Sequence, residues 1–332
     1  MQKNVISILK IILPLGLGLF LIWLVFKDLT PVDIAEIKAS FNEINYSFLI
    51  LSVIFGVISH LSRAWRWKYP LNHLGYQPKL HNSFFSTMIG YFANLGIPRS
   101  GELLRCGVMS KYEDIPFNKL VGTVIAERMA DLLVLCSFIA MVFFLQIDLL
   151  TGYLKEIGFF KQISFTKMFI LGAAFFVVVI VSYLVLKRSK LSFFEKLRKF
   201  LSGIKQGLIA ILTMPNRGKF ILHTIFIWTM YFLMFYITIF SLPEVETLPI
   251  SGIVTAFVLG GISIAATNGG IGAYPLAISS VLMLYGVDHN IGYAFGWATW
   301  IAQTAMIVIV GLISLVLVPK LNEKQETLVT KS

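Results

Sequence analysis

The sequence predicts an all-α polytopic membrane protein, with about six full spans and two re-entrant helical hairpins arranged as an inverted repeat. Three observations lead there. Of 332 residues, 57% are hydrophobic and only 14% charged, against about 25% charged in an ordinary soluble domain. Six apolar runs are long enough to cross a bilayer, and two pairs of shorter runs are broken by Gly, Pro or Asn. Lys and Arg gather in alternate segments between those runs, as the positive-inside rule requires.

The six runs are 8–26, 46–62, 118–145, 168–186, 220–241 and 292–318. Residues 8–26 read as a retained first span, because no small-residue cleavage site precedes Lys27. The shorter pieces are 84–97 with 101–110, around Gly96, Pro98 and Gly101, and 250–266 with 275–285, around Asn268, Gly269, Gly270 and Gly272. At about 1.5 Å per residue each spans only about 15–26 Å. Each pair therefore reads as a half-helix in, a broken tip and a half-helix back, which is tolerated at membrane depth only beside protein or a water-filled cavity. Full crossings for each half, giving eight or more spans, satisfy the charge pattern equally.

With both termini inside, the inner segments carry 22 Lys/Arg against 6 Asp/Glu, and the outer ones 5 against 9. The net charge of +11 is thus topogenic, and no nucleic-acid partner is expected. In 187–219 nine basic residues face an apolar stripe of Phe193, Leu197, Phe200, Leu201, Ile204, Leu208 and Ile211. That pattern predicts a helix lying on the inner leaflet. The chain reads as one integral domain: first span, repeat one over 46–145, span and basic segment over 168–219, repeat two over 220–318, and a cytoplasmic tail over 319–332.

The order span, hairpin, span occurs twice with opposite orientation. Asn94-Leu95-Gly96-Ile97 matches Asn268-Gly269-Gly270-Ile271, and Ile125-Ala126-Glu127-Arg128 matches Ile301-Ala302-Gln303-Thr304. Such repeats with broken helices are a common build for secondary transporters, with the site at the repeat interface.

Candidate site residues follow from charge inside apolar sequence. Glu127, Arg128 and Asp131 lie within a span, where each charge costs about 2.5–3.5 kcal/mol on insertion scales and so needs a partner. Arg128 can pair with Asp131, three residues on, which leaves one carboxylate for Arg99 or Arg105. Arg63 and Arg66 stand one turn apart at the end of the second span, where they serve either as cytoplasmic anchors or as lining of a shared cavity. Asn94, Arg99, Glu102 and Arg105 surround the first tip, where a half-helix N-terminus and guanidinium groups favour phosphate. A self-contained salt-bridged hairpin is the competing explanation. Asn268, Gly269, Gly270 and Gly272 would supply backbone donors from the second tip. The reading expects ionised side chains from two oppositely oriented halves to converge on a wet pocket. Cys106 and Cys136 have no ligand spacing, the five histidines are scattered, and no nucleotide-binding loop is present. No catalytic residue, metal or cofactor is assigned.

Three motifs in order, Arg63-Ala64-Trp65-Arg66-Trp67, Asn94 to Arg105 (NLGIPRSGELLR) and Gly122 to Asp131 (GTVIAERMAD), resemble the flippase-like family, also called the lysylphosphatidylglycerol synthase transmembrane-region family. The resemblance covers about 10–318. It implies a membrane domain that, in the multiple peptide resistance factor, moves aminoacylated phosphatidylglycerol between leaflets. In other relatives it implies a domain that works beside enzymes of lipid-linked sugar chemistry. The expected partners are membrane lipids with an anionic or phosphate-bearing headgroup, an ion for coupling, and a second copy of the chain or a lipid-biosynthesis enzyme. The expected location is the bacterial cytoplasmic membrane. The alternative is a membrane-embedded transferase or its accessory subunit. Lysyl transfer itself is not expected, since about fourteen residues follow the last span. The family's second tip often carries Pro where Asn268 stands and Glu where Pro275 stands, so one expected carboxylate is missing.

Overall fold

The structure, a computed structural model, describes residues 20, 23, 27, 30–97, 100–147, 209 and 211–329, with side chains through Asn322. Apart from Phe20, Trp23, Ile209 and Ile211, the expected span 8–26, the span 168–186 and the apolar stripe up to 211 lie outside the described residues, as does Arg99. The described residues are helical and contain no strand. In chain order the helices are α1 (Pro31–Glu43), α2 (Tyr46–His73), α3 (Leu80–Gly96), α4 (Gly101–Glu113), α5 (Phe117–Leu145), α6 (Arg217–Tyr236), α7 (Pro243–Glu246), α8 (Ile250–Ala266), α9 (Ala273–Met283) and α10 (His289–Val329). A 3-10 turn over Ile237–Ser241 extends α6. Among the described residues four helices are long and apolar enough to cross a membrane: α2, α5, α6 with its 3-10 turn, and α10.

Long, short, short, long is the order of α2 to α5, and again of α6, α8, α9 and α10. The short helices start and stop close to the expected positions, because the breakers there act locally. In the second tip Gly269, Gly270 and Gly272 all have positive φ, at 65°, 83° and 69°, a region that a Cβ disfavours. α2 runs beyond the expected end at 62. The charges that ended the apolar run, Arg63 and Arg66, are buried against protein, so nothing forces the helix to stop. α10 likewise continues past 318. Asn322 is buried and exchanges amide hydrogen bonds with Asn82 of α3 at 2.9 and 3.0 Å, and Asn82 also donates to Glu113 at the end of α4.

α10 is the spine of the molecule, packing against α9, α3, α2 and α1. Two glycines permit its closest approaches. A Cβ on Gly296 would lie 2.7 Å from Pro275 Cα, and one on Gly311 would lie 2.5 Å from Phe92 Cβ. One helix thereby touches both hairpins. At its N-terminal end Asn290 donates to Asp33 and Glu36, tying down α1. The largest apolar cluster lies at that end, where Leu242, Val245, Ile278, Leu282 and Phe295 are buried. A second, around Trp67, Leu71, Met109 and Leu120, joins α2, α4 and α5.

The glycine contacts generate a paired test. Gly296→Ala must displace backbone and should lower thermal stability in detergent by about 1–3 kcal/mol. Gly107→Ala meets nothing within 4 Å, and should raise stability by roughly 0.5–1 kcal/mol through helix propensity. Melting curves of the two variants read the difference.

Candidate functional site

The hairpin of α3 and α4 folds tightly because its legs meet at two glycines. A Cβ on Gly90 would sit 2.7 Å from the Gly101 carbonyl oxygen. Ser100, the N-cap of α4, makes no side-chain cap. Asn94 does that work from across the hairpin, its Oδ1 accepting from the Gly101 N–H at 2.8 Å. The close approach aims the first turn of α4, with Glu102 and Arg105, at α5.

Four arginines and three carboxylates then meet among α2, α4 and α5. Arg63 Nη1 lies 2.7 Å from Asp131 Oδ2. Arg66 grips the same carboxylate with both terminal nitrogens, at 2.9 and 3.3 Å. Arg105 Nη2 lies 2.6 Å from Glu127 Oε2. Arg66 Nε is 3.6 Å from Glu127 Oε1, close enough for Coulomb attraction but too far for a hydrogen bond. Arg128 pairs with Glu102 at 3.3 Å and with Asp131 only at 3.9 Å.

The pairing differs from the expectation in a useful way. Arg105 does partner Glu127, but Arg63 and Arg66 take Asp131, freeing Arg128 for Glu102. Aromatic and hydroxyl groups hold the arginines in place. Arg105 stacks over Trp67 at 3.8 Å, and Trp67 Nε1 donates to Thr123. Arg66 donates to Thr224 at 2.9 Å, and Arg63 Nε to the Tyr231 hydroxyl at 3.3 Å. Both hydroxyls come from α6, so the second half contributes neutral acceptors. The expected convergence of ionised groups from two halves is thus corrected: among the described residues the charges all come from the first half. In the second half the buried Tyr274 lies beside Gly260 and Gly270, a neutral arrangement where the first half has carboxylates and guanidinium groups.

Burial divides the cluster. Arg66 and Glu127 are fully enclosed and Arg63, Arg105 and Asp131 nearly so, whereas the Arg128 and Glu102 side chains are 35% and 34% exposed. A cavity of about 10 Å³ opens beside them, between Tyr91 and Asn94 of α3, Gly101 and Arg105 of α4, and Arg128. It has room for one water. Arg128 Nε and Arg105 Nε are buried without a hydrogen-bond partner. Among the described residues four guanidinium charges face three carboxylates, and the cluster is one negative charge short.

The second tip reaches the first without joining the charges. Asn268 Nδ2 donates to the Leu95 carbonyl at 2.7 Å, and Trp300 Nε1 donates to Gly269 at 2.7 Å. Asn268 Oδ1 stays buried and unpartnered. Gly270 packs on Ile264 and Tyr274, and Gly272 caps α9. Pro275 lies against Gly296.

A family model described as the lysylphosphatidylglycerol synthase TM region matches residues 11–311. The chain belongs to that family. It is accordingly a lipid-related, multi-pass membrane protein. A UPF0104 membrane protein of Methanocaldococcus jannaschii is 31% identical over 97 residues, covering 28% of this chain and 29% of the relative. No solved structure gives a significant match. Tyr91, Thr224 and Tyr231 escaped the sequence reading, since a hydroxyl in an apolar span marks no partner until the facing helix is known.

The burial contrast sets a test for family members of this build. Asp131→Ala leaves Arg63 and Arg66 buried without their shared carboxylate and should cost about 3–5 kcal/mol. Glu102→Gln, at a half-exposed pair, should cost about 0–1 kcal/mol. Thermal unfolding in one detergent compares them directly.

Proposed function

We propose that this protein binds a phosphate-bearing, anionic lipid headgroup in the cleft beside Arg128 and carries it between leaflets while the tails remain in the bilayer. The observation behind the reading is the missing negative charge. A buried cluster with one cation in excess gains from an anion, and the group with room to receive it is Arg128. Guanidinium N–H groups match phosphate oxygens with two bonds at once. Asn94 and the first turn of α4 line the same cleft.

Each residue then has a part. Arg63, Arg66 and Arg105, locked by Asp131 and Glu127, supply a fixed positive field rather than direct contacts in the closed form. Arg128 takes the phosphate. Glu102, released from Arg128, meets any cationic group on the headgroup, as an aminoacylated lipid would present. A headgroup exceeds a one-water cavity, so α3 and α4 must part to admit it. A hinge where Asn268 and Gly269 meet Leu95 of the first tip would serve that opening. This arrangement treats the two helix sets as an inverted repeat with re-entrant hairpins, both termini cytoplasmic, in a cell membrane. Transport is passive or ion-coupled.

Reconstitution in liposomes tests this. With fluorescent phosphatidylglycerol, Arg128→Ala should slow leaflet exchange about tenfold or more, the loss of a charge-assisted contact of about 1.5–3 kcal/mol, with Arg128→Lys intermediate. Exchange unchanged by Arg128→Ala would remove the site assignment. A covalently altered lipid in the same vesicles would favour the transferase reading.

A further inference from the structure

A larger cavity, of about 360 Å³, lies away from the charge cluster on the outer face of α2 and α6. Ile58, Leu61, Ser62 and Trp65 form one wall, a run along a single face of α2. Leu222, His223 and Phe226 form the other. Its polar floor is already satisfied: Ser62 Oγ and His223 Nδ1 are 2.8 Å apart, and the His223 ring stacks on Trp65. What remains is a dry slot between two of the molecule's membrane-crossing helices. At about 30 Å³ per water it holds roughly twelve water volumes, the bulk of a hydrocarbon chain of about a dozen carbons.

Charge marks one end of this slot. Lys68 follows Trp65 by one turn on the same face of α2, and Lys219 precedes Leu222 by one turn on the same face of α6. Because the helices run antiparallel, with Trp65 and Tyr69 both against His223, the two lysines stand at the same mouth. Both are exposed and neither forms an ion pair with a described carboxylate. The nearby Arg217 is engaged with the Leu212 carbonyl. By the distribution of basic residues this mouth is the cytoplasmic one.

We propose that this groove is a second lipid site, in which an acyl chain of an anionic glycerophospholipid lies along Leu61 and Phe226 while its phosphate sits between Lys68 and Lys219. The apolar wall alone would accept any lipid tail. Two lysines without an ion-pair partner among the described residues would select anionic lipid, Trp65 lines the slot one turn from Lys68, and basic pockets between spans on the cytoplasmic side are known lipid-headgroup receivers. The site is independent of the cleft at Arg128, since Arg63 and Arg66 turn the other way, into the charge cluster.

Tryptophan quenching by brominated lipid tails reads occupancy without any transport. The full chain is placed in phosphatidylcholine vesicles containing a minor fraction of tail-brominated phosphatidylglycerol or, in parallel, tail-brominated phosphatidylcholine. The Trp65 signal is isolated by difference from Trp65→Phe. The expected result is stronger quenching by the phosphatidylglycerol. At about 1 kcal/mol per basic residue near the surface, each lysine should contribute about fivefold to the preference. Lys68→Gln with Lys219→Gln should abolish it, Lys68→Arg with Lys219→Arg should keep it, and added salt should erase it in the unaltered protein. Equal quenching by both lipids would overturn the proposal in favour of ordinary annular lipid. Quenching by neither would overturn it too, showing that another part of this chain or a second copy covers the groove.

Discussion

Arg66 is the hinge of the electrostatics. Fully buried, it holds Asp131 with two hydrogen bonds and stands 3.6 Å from Glu127. Three helices depend on it: α2 carries the guanidinium, α5 carries both carboxylates, and α4 is drawn in because Glu127 also needs Arg105. Removing any one of these charges strands another in a place with little water, where an unpaired charge is costly. The network therefore fixes how the first hairpin sits on its neighbours. Its surplus positive charge is what the proposed anion site rests on.

The two halves share an element order but divide the labour. The first half carries all seven charges of the cluster. The second supplies hydroxyls from Thr224 and Tyr231, and a glycine tip fastened to the first by Asn268. Gln303 and Tyr274 are neutral groups of the second half, and Pro275 packs on the close face of α10 at Gly296. Among the described residues the acidic groups of the cluster lie in one half alone.

Much of this was legible in the sequence, for identifiable reasons. Glycine and proline act through local backbone geometry, so the breaks at Gly96–Gly101 and Asn268–Gly272 lie where the residues put them. Charge inside an apolar run is expensive enough that Glu127, Arg128 and Asp131 announce a network. Its wiring was not legible. Local spacing favours Arg128 with Asp131, yet Arg63 and Arg66 displace it, because tertiary packing delivers two guanidinium groups to one carboxylate. The helices run on past the apolar runs that end at 62 and 318 for the same reason. A charged or amide side chain ends an apolar run, but it does not end a helix when a buried partner such as Asp131 or Asn82 awaits it.

The most direct measurement is high-resolution density of the protein in a lipid nanodisc containing anionic phospholipid. The account predicts a lipid phosphate within hydrogen-bonding reach of the Arg128 guanidinium, with α3 and α4 parted from the one-water closure. Hydrocarbon chains packed against Arg128 and Glu102, with no anion near the cluster, would contradict it.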